Sequence, residues 1–300
     1  MTRQSWKRWF RETLTPYGAK LIADASDDYG AIQIVELGPY RALYFNSPSC
    51  QGRIHMDDPW QPSSEHLRSI LCATAMAPVV NRVLILGLGP GALVHSLRKL
   101  YPDVEIHTVE LRQIVYQAAR THFNLPKDEN THYHMMDATH FVKSAPKELF
   151  DLIIVDMAMS DSISPLLVQP GFWLHSLTHL APNGVICANL WRGSQHRFEW
   201  IFNRLGSCLK TPPAVLRHRQ IDNMVVFGSP TVCEGDEVIE FRRRVTDHAG
   251  LLKFDPENLV KQLPMIQTND ELFGSTPTKP KAEENEESEE SEESWDMSED

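Results

Sequence analysis

Between residues 77 and 230 the chain alternates apolar runs of strand length with stretches of helical pattern. The strand-like runs are RVLILGLG (82–89), EIHTVEL (105–111), HYHMMDA (132–138), DLIIVDM (151–157), GVICANLW (184–191) and NMVVFGSP (223–230). Between several of them lie helix-patterned ALVHSLRKLY, QIVYQAARTHF and PGFWLHSLTHLAP. Strands that alternate with helices, and that are apolar enough to be buried on both faces, require a parallel sheet covered by helices. The fold class is therefore α/β.

The first 75 residues follow another pattern. AIQIVEL and RALYFN are short β-type runs on either side of GPY, which predicts a hairpin. QGRIHMDDPWQPSS reads as a loop. SSEHLRSILCATAM reads as a helix that Ser63 or Ser64 can cap, with Leu67, Ile70, Leu71 and Ala75 as its apolar stripe. At the start, SWKRWFRETL predicts a surface helix that packs Trp6 and Phe10 rather than a membrane anchor.

Charge divides the chain again. Eleven of the forty acidic residues fall between Glu283 and Asp300, where no Lys or Arg occurs, which leaves the remainder at 29 acidic against 29 basic. The body is formally neutral, and nothing marks it as a nucleic-acid binder. The tail, STPTKPKAEENEESEESEESWDMSED, has nothing to pack and is expected to be disordered. It can serve as a docking arm for a basic partner, tuned by phosphorylation at Ser288, Ser291 or Ser294. No apolar run reaches membrane-spanning length, and the N-terminus lacks an apolar signal core. Five widely spaced cysteines with no CxxC suit reduced thiols in a cytoplasm. The expected organisation is an N-terminal helix and β segment over 1–75, a catalytic sheet domain over 76–265 and an acidic tail over 266–300.

Gly87, Gly89 and Gly91 follow a strand-like run and open a helix, so the backbone can turn tightly and a ligand can approach it. Glu110 ends the next run, where a carboxylate can accept hydrogen bonds from ribose hydroxyls. The turn also satisfies GxGxxG/A, which keeps a nicotinamide enzyme in play, as well as a tight turn with no ligand. Two further strand ends favour an S-adenosyl nucleoside. Asp137 and Ala138 close the third run, where the carboxylate can accept an adenine amino group, and Asp156 closes the fourth. Ligands in such sheets bind outside the carboxyl ends of the strands. His132, His134 and His140 with Asp137 read as borders of that pocket rather than as metal ligands, and no metal is expected. Trp191 and Arg192 are placed either in the pocket wall or in helix packing.

The glycine turn, TVELRQIVYQAARTHF, Asp137-Ala138, FDLIIVD and LAPNGVICANL together resemble the spermidine/spermine synthase family over roughly residues 28 to 230. That family is related to the class I methyltransferases. The resemblance implies a Rossmann-like, mostly parallel sheet with helices on both faces, preceded by a small β segment. It implies aminopropyl transfer from decarboxylated S-adenosylmethionine to an amine, in a homodimer or higher oligomer. Glu110 would hold ribose, Asp137 and Ala138 adenine, and Asp156 would take the proton of the attacking amine. His66 falls on the histidine of the family's Tyr-His-Glu helix motif, as a substrate-binding residue.

The sequence also departs from the family pattern. Pro90 stands where the family's GGGDG loop carries its aspartate, and Met159 where a second acid follows the catalytic one. Asp161 replaces that acid if the loop carries two extra residues. Tyr29-Gly30 stands for a glutamine, and Leu67 for the glutamate of the helix motif. This pattern is closer to bacterial spermidine synthase-like proteins with GLGxG loops. For a polyamine cation the remaining carboxylates are Asp156, Asp161 and Glu65, then Asp57 and Asp58. Two other functions stay open: a methyltransferase using S-adenosylmethionine itself, and a non-catalytic nucleoside-binding module whose tail engages a partner.

Overall fold

The computed structural model describes residues 1–146, 148–159, 162–169, 171–191, 195–210, 213–217 and 223–230, with the isolated positions 243 and 246. The acidic tail, Asp161 and Arg192 lie outside the described residues.

The N-terminal helix α1 (Arg3–Thr13) begins at Thr2, whose hydroxyl accepts the Ser5 N–H. Its Trp6 is fully buried, stacks on Phe10 at 5.4 Å and donates its indole N–H to the Ser47 carbonyl at 3.1 Å. The partner surface is an antiparallel sheet of β1 (Lys20–Asp27), β2 (Gly30–Leu37), β3 (Tyr40–Tyr44) and β4 (Cys50–His55) in that order. The predicted hairpin is β2–β3. The stretch read as a loop supplies β4, and β1 was not foreseen. Both are edge strands with few buried side chains and a weak apolar pattern. On one face Val35 and Tyr44 pack with Trp6, while Ile32, Ile34, Leu43 and Ile54 face the larger domain. The alternation of side chains along a strand lets one thin sheet bind two bodies.

The helix α2 (Glu65–Met76) leads into a seven-stranded sheet. Its strands are β5 (Arg82–Leu86), β6 (Glu105–Glu110), β7 (Thr131–Met135), β8 (Phe150–Val155), β11 (Leu180–Trp191), β12 (Ala214–Arg217) and β13 (Asn223–Gly228). A two-residue pair, β9 (Ala158–Met159) and β10 (Ser162–Ile163), forms its own small ladder. The order across the large sheet is β12-β13-β11-β8-β5-β6-β7. Pairing is parallel from β11 to β7 and antiparallel for β13 with both neighbours. The strand β12 escapes the sequence pattern because it is a four-residue edge behind Pro212 and Pro213.

Val83, Ile85, Ile106, Leu152 and Ile154 face α2, α3 (Ala92–Leu100) and α4 (Gln113–His122). Leu84, Leu86, Ile153, Val155 and Ile186 face α5 (Ala138–Ser144), α6 (Phe172–Leu177) and α7 (Gln195–Leu209). Successive residues thus enter opposite cores, which is why these strands read as continuous apolar runs. The stretch PGFWLHSLTHLAP yields only six helical residues, because Leu180 already pairs with Phe150 in the sheet. Chain order reverses at β5, which lies between β6 and β8. A crevice therefore opens beyond the carboxyl ends of these strands. Among the described residues no helix is long and apolar enough to cross a membrane.

Candidate active site

One cavity of about 590 Å³ occupies that crevice. The ends of β5, β6, β7 and β8 form its floor, β4 and α2 close one side, and Ser164, Pro165 and Leu166 close the other. Its size suits a nucleoside-sized ligand.

The glycine turn makes the first wall. Gly87, Gly89 and Gly91 all have left-handed φ, at 104°, 54° and 88°. At Gly87 a Cβ would collide with the Asp156 backbone carbonyl, so only glycine lets β5 and β8 end side by side there. Gly87 and Gly89 line the cavity. Gly91 does not; it is the N-cap of α3, placed against Leu125. Its role is to turn the chain into the helix rather than to touch a ligand.

Glu110 lies at the tip of β6 with its carboxylate clamped from two sides. Oε2 accepts the Leu88 N–H at 3.2 Å, and Oε1 accepts the Arg112 N–H at 2.9 Å. Burial pushes its pKa above the usual carboxylate range, against the opposing pull of these amides. Each oxygen keeps a second lone pair for a ligand hydroxyl. Asp137 caps α5 by accepting the His140 N–H at 3.0 Å, and Ala138 beside it is buried. Both line the cavity next to Leu111 and Met136, whose apolar side chains are 41% and 36% exposed. A flat apolar ring fits between such side chains with a carboxylate at its edge.

Asp156 stands at the end of β8, where its N–H donates to the Leu86 carbonyl. Its Oδ1 accepts a hydrogen bond from Asn189 Nδ2 at 2.8 Å, and Asn189 Oδ1 accepts one from Asn223 Nδ2 at 3.0 Å. This relay crosses three strands and fixes the carboxylate's orientation. Among the described residues Oδ2 accepts no hydrogen bond, so it is available to the cavity. His66 on α2 also faces the cavity, with Nε2 at 3.3 Å from the Ser64 hydroxyl. Burial favours its neutral imidazole, while the Asp156 carboxylate pulls the other way.

Several lining residues carried no signal in the sequence. Gln51 on β4 donates from Nε2 to the Ser49 carbonyl at 3.2 Å and leaves a buried Oε1 without a partner among the described residues. That orphan acceptor suits a ligand N–H. Arg112 forms a forked pair with Asp27 at 2.7 and 3.0 Å and donates to the Gly30 carbonyl at 2.8 Å. It thereby ties the β1–β2 turn to the nucleoside side. Pro90 packs on β4: a Cβ on Gly52 would lie 2.7 and 2.8 Å from its ring carbons. The position that carries an acid in the resembled family is therefore a packing contact between the two sheets.

Other expectations shift. His132 and His134 do not line the cavity; they point to the α5 face of the sheet beside His107, and His140 is exposed on α5. They sit too early on β7, because the crevice opens only at its end. Trp191 packs against the α7-side core rather than the cavity. Glu65, Asp57 and Asp58 lie outside the lining.

An α/β sheet with its switch point at β5 places three strand-end carboxylates around a crevice of the kind where such sheets bind ligands, on a methyltransferase-like fold. The comparisons narrow this. The family description "Spermine/spermidine synthase domain" matches residues 70–196. The polyamine aminopropyltransferase of Vibrio vulnificus is 26% identical over 61% of this chain and 64% of its own. That of Chromobacterium violaceum is 25% identical over 81% of this chain and 92% of its own. Among solved structures, spermidine synthase from Thermotoga maritima superposes with a TM-score of 0.66 at 18% identity, covering 83% of this chain and 84% of its own. Human methyltransferase-like protein 13, solved with SAH, gives 0.57 at 18% identity over 63% and 93%. Over residues 70–196 the chain is similar to the spermidine/spermine synthase family, and the relatives just given are named as aminopropyltransferases.

Proposed function

We propose that this protein transfers an aminopropyl group from decarboxylated S-adenosylmethionine to a small amine. The supporting observation is the charge of the cavity. Glu110, Asp137 and Asp156 face it, and the one arginine in its described lining, Arg112, is already paired with Asp27. Such a wall favours a donor that ends in an ammonium over one that ends in a carboxylate. Glu110 holds the ribose hydroxyls, and Asp137 with Ala138 holds the adenine edge between Leu111 and Met136. The acceptor nitrogen attacks the carbon next to the sulfonium. The N–C bond forms as the C–S bond breaks, and the sulfur leaves as a neutral thioether. The proton shed by the nitrogen passes to Asp156 Oδ2, because a protonated amine has no lone pair to attack with. His66, whose neutral form burial favours, lines the same cavity as Asp156 and is assigned to the acceptor amine. Asp161, proposed as a second acid, lies outside the described residues.

The test is turnover of each donor across a panel of diamines, read as methylthioadenosine released from the decarboxylated donor and as S-adenosylhomocysteine released from S-adenosylmethionine. Turnover with the decarboxylated donor supports the reading, and turnover with S-adenosylmethionine alone overturns it. That second outcome has its own support. Putrescine N-methyltransferase 2 of Nicotiana attenuata is 27% identical over 60% of this chain, so methyl transfer occurs in a relative of similar distance. Binding of nucleoside without turnover of either donor leaves the non-catalytic module.

A further inference from the structure

Two histidines that the cavity does not use, His107 and His132, form a second cluster with Glu105 toward the opposite end of β6. Glu105 and Glu110 begin and end β6, so at a rise of about 3.3 Å per residue Glu105 lies about 16 Å and His107 about 10 Å along the strand from Glu110. Glu105 and His107, two apart on β6, share one face, and His107 is the register partner of His132 on β7. Their ligating atoms all lie within 4.8 Å of one another. Glu105 Oε1 is 2.8 Å from His107 Nε2 and 3.8 Å from His132 Nε2. Glu148, in the loop before β8, brings Oε2 to 3.8 Å from His107 Nε2.

We propose that Glu105, His107 and His132, with Glu148 as fourth donor, bind a divalent transition cation of the zinc type. Two imidazoles and two carboxylates are a donor set that suits zinc, copper or nickel better than magnesium or calcium. Bonds of about 2.0–2.2 Å to a tetrahedral ion keep the ligand atoms about 3.3–3.6 Å apart. The Glu105 separations of 2.8 and 3.8 Å lie on either side of that spacing, within a group whose atoms are all within 4.8 Å of one another, so rotation of the side chains is needed to close the site.

Charge and orientation support the same reading. Arg82 donates to both Glu105 oxygens at 3.0 and 3.1 Å and to Glu148 at 2.8 Å, gathering the two carboxylates on one side. One guanidinium against two carboxylates leaves a net negative charge beside the two imidazoles, which a divalent ion offsets. His107 Nδ1 lies 3.2 Å from His134 Nε2. When His107 gives its Nε2 lone pair to a metal, its proton resides on Nδ1 and is donated to His134. That arrangement is the outer hydrogen bond that ligating histidines ordinarily make. His132 has 43% of its side chain exposed, which provides a path for the ion from solvent.

The experiment uses the full chain, stripped with a chelator and titrated with Zn²⁺ and Co²⁺. The site predicts one ion per chain, with a cobalt spectrum showing d–d bands and no thiolate charge-transfer band. His132→Ala removes a half-exposed ligand with little effect on packing and should weaken binding by at least about tenfold, the scale seen even for outer-shell changes. His107→Gln should do the same, whereas Cys50→Ser and binding of methylthioadenosine should be unaffected. The absence of stoichiometric binding, equal affinity in His132→Ala, or a thiolate band would overturn the proposal.

Discussion

The two ends of the cavity are built differently. At the nucleoside end the contacts come from backbone turns and strand tips: the glycine turn after β5, Glu110 clamped by two amides, and Asp137 capping α5. At the acceptor end they come from side chains on β4, α2 and β8 and from the Asn189–Asn223 relay behind Asp156. The first end is a consequence of sheet topology and is expected wherever this fold holds a nucleoside. The second is assembled from side chains on distant stretches and, on the proposed function, decides what reacts.

This difference predicts which substitutions separate binding from turnover. The largest effect belongs to Asp156→Asn, which removes the proposed proton acceptor while keeping the shape. Turnover should fall by about 10²–10⁴-fold, with methylthioadenosine affinity changed less than about threefold, as read by steady-state assay and calorimetry. Equal loss in both would show that the two ends are not separable. Next is Glu110→Gln, which alters a carboxylate held by the Leu88 and Arg112 amides. It should weaken nucleoside binding by about 10–100-fold, the equivalent of roughly 1.5–3 kcal/mol for hydrogen bonds to a charged group. The third, Asn189→Ala, frees the Asp156 carboxylate to rotate. It should lower kcat by about tenfold, on the order of one lost hydrogen bond, with donor affinity intact. Asn189→Asp should fail to rescue, because it replaces the amide donor with an acceptor.

The smallest effect is a pH dependence at the nucleoside end. Burial raises the pKa of Glu110, and binding needs its carboxylate, so affinity should decline on acidification at a pH above the usual carboxylate range. In Glu110→Gln this step should vanish from the calorimetric pH profile.

Much of the nucleoside end was legible because it is written in local chain pattern. Apolar runs buried on both faces mark the strands, and glycines with left-handed φ follow the first of them. An acid at each strand end then has only one crevice to face. The acceptor end was less legible because its members come from distant stretches with weak local signatures. Gln51 sits on a strand that Gly52 and an exposed edge disguise as loop, and Gly52 is there to admit Pro90. Asn189 and Asn223 lie inside otherwise apolar runs, and only the antiparallel pairing of β13 with β11 brings them together. Arg112 looks like an ordinary helix-start residue until the β1–β2 turn places Asp27 against it. The histidines were assigned to the wrong end of the sheet because a short run does not reveal where along the strand the crevice opens.

The most direct measurement is calorimetric titration of the full chain with methylthioadenosine, decarboxylated S-adenosylmethionine and S-adenosylmethionine under one buffer condition. An anionic cavity with its arginine already paired predicts that the decarboxylated donor binds tightest, methylthioadenosine next and S-adenosylmethionine weakest. Binding of S-adenosylmethionine as tightly as its decarboxylated form would contradict the account and turn the acceptor end into a methyl-transfer site.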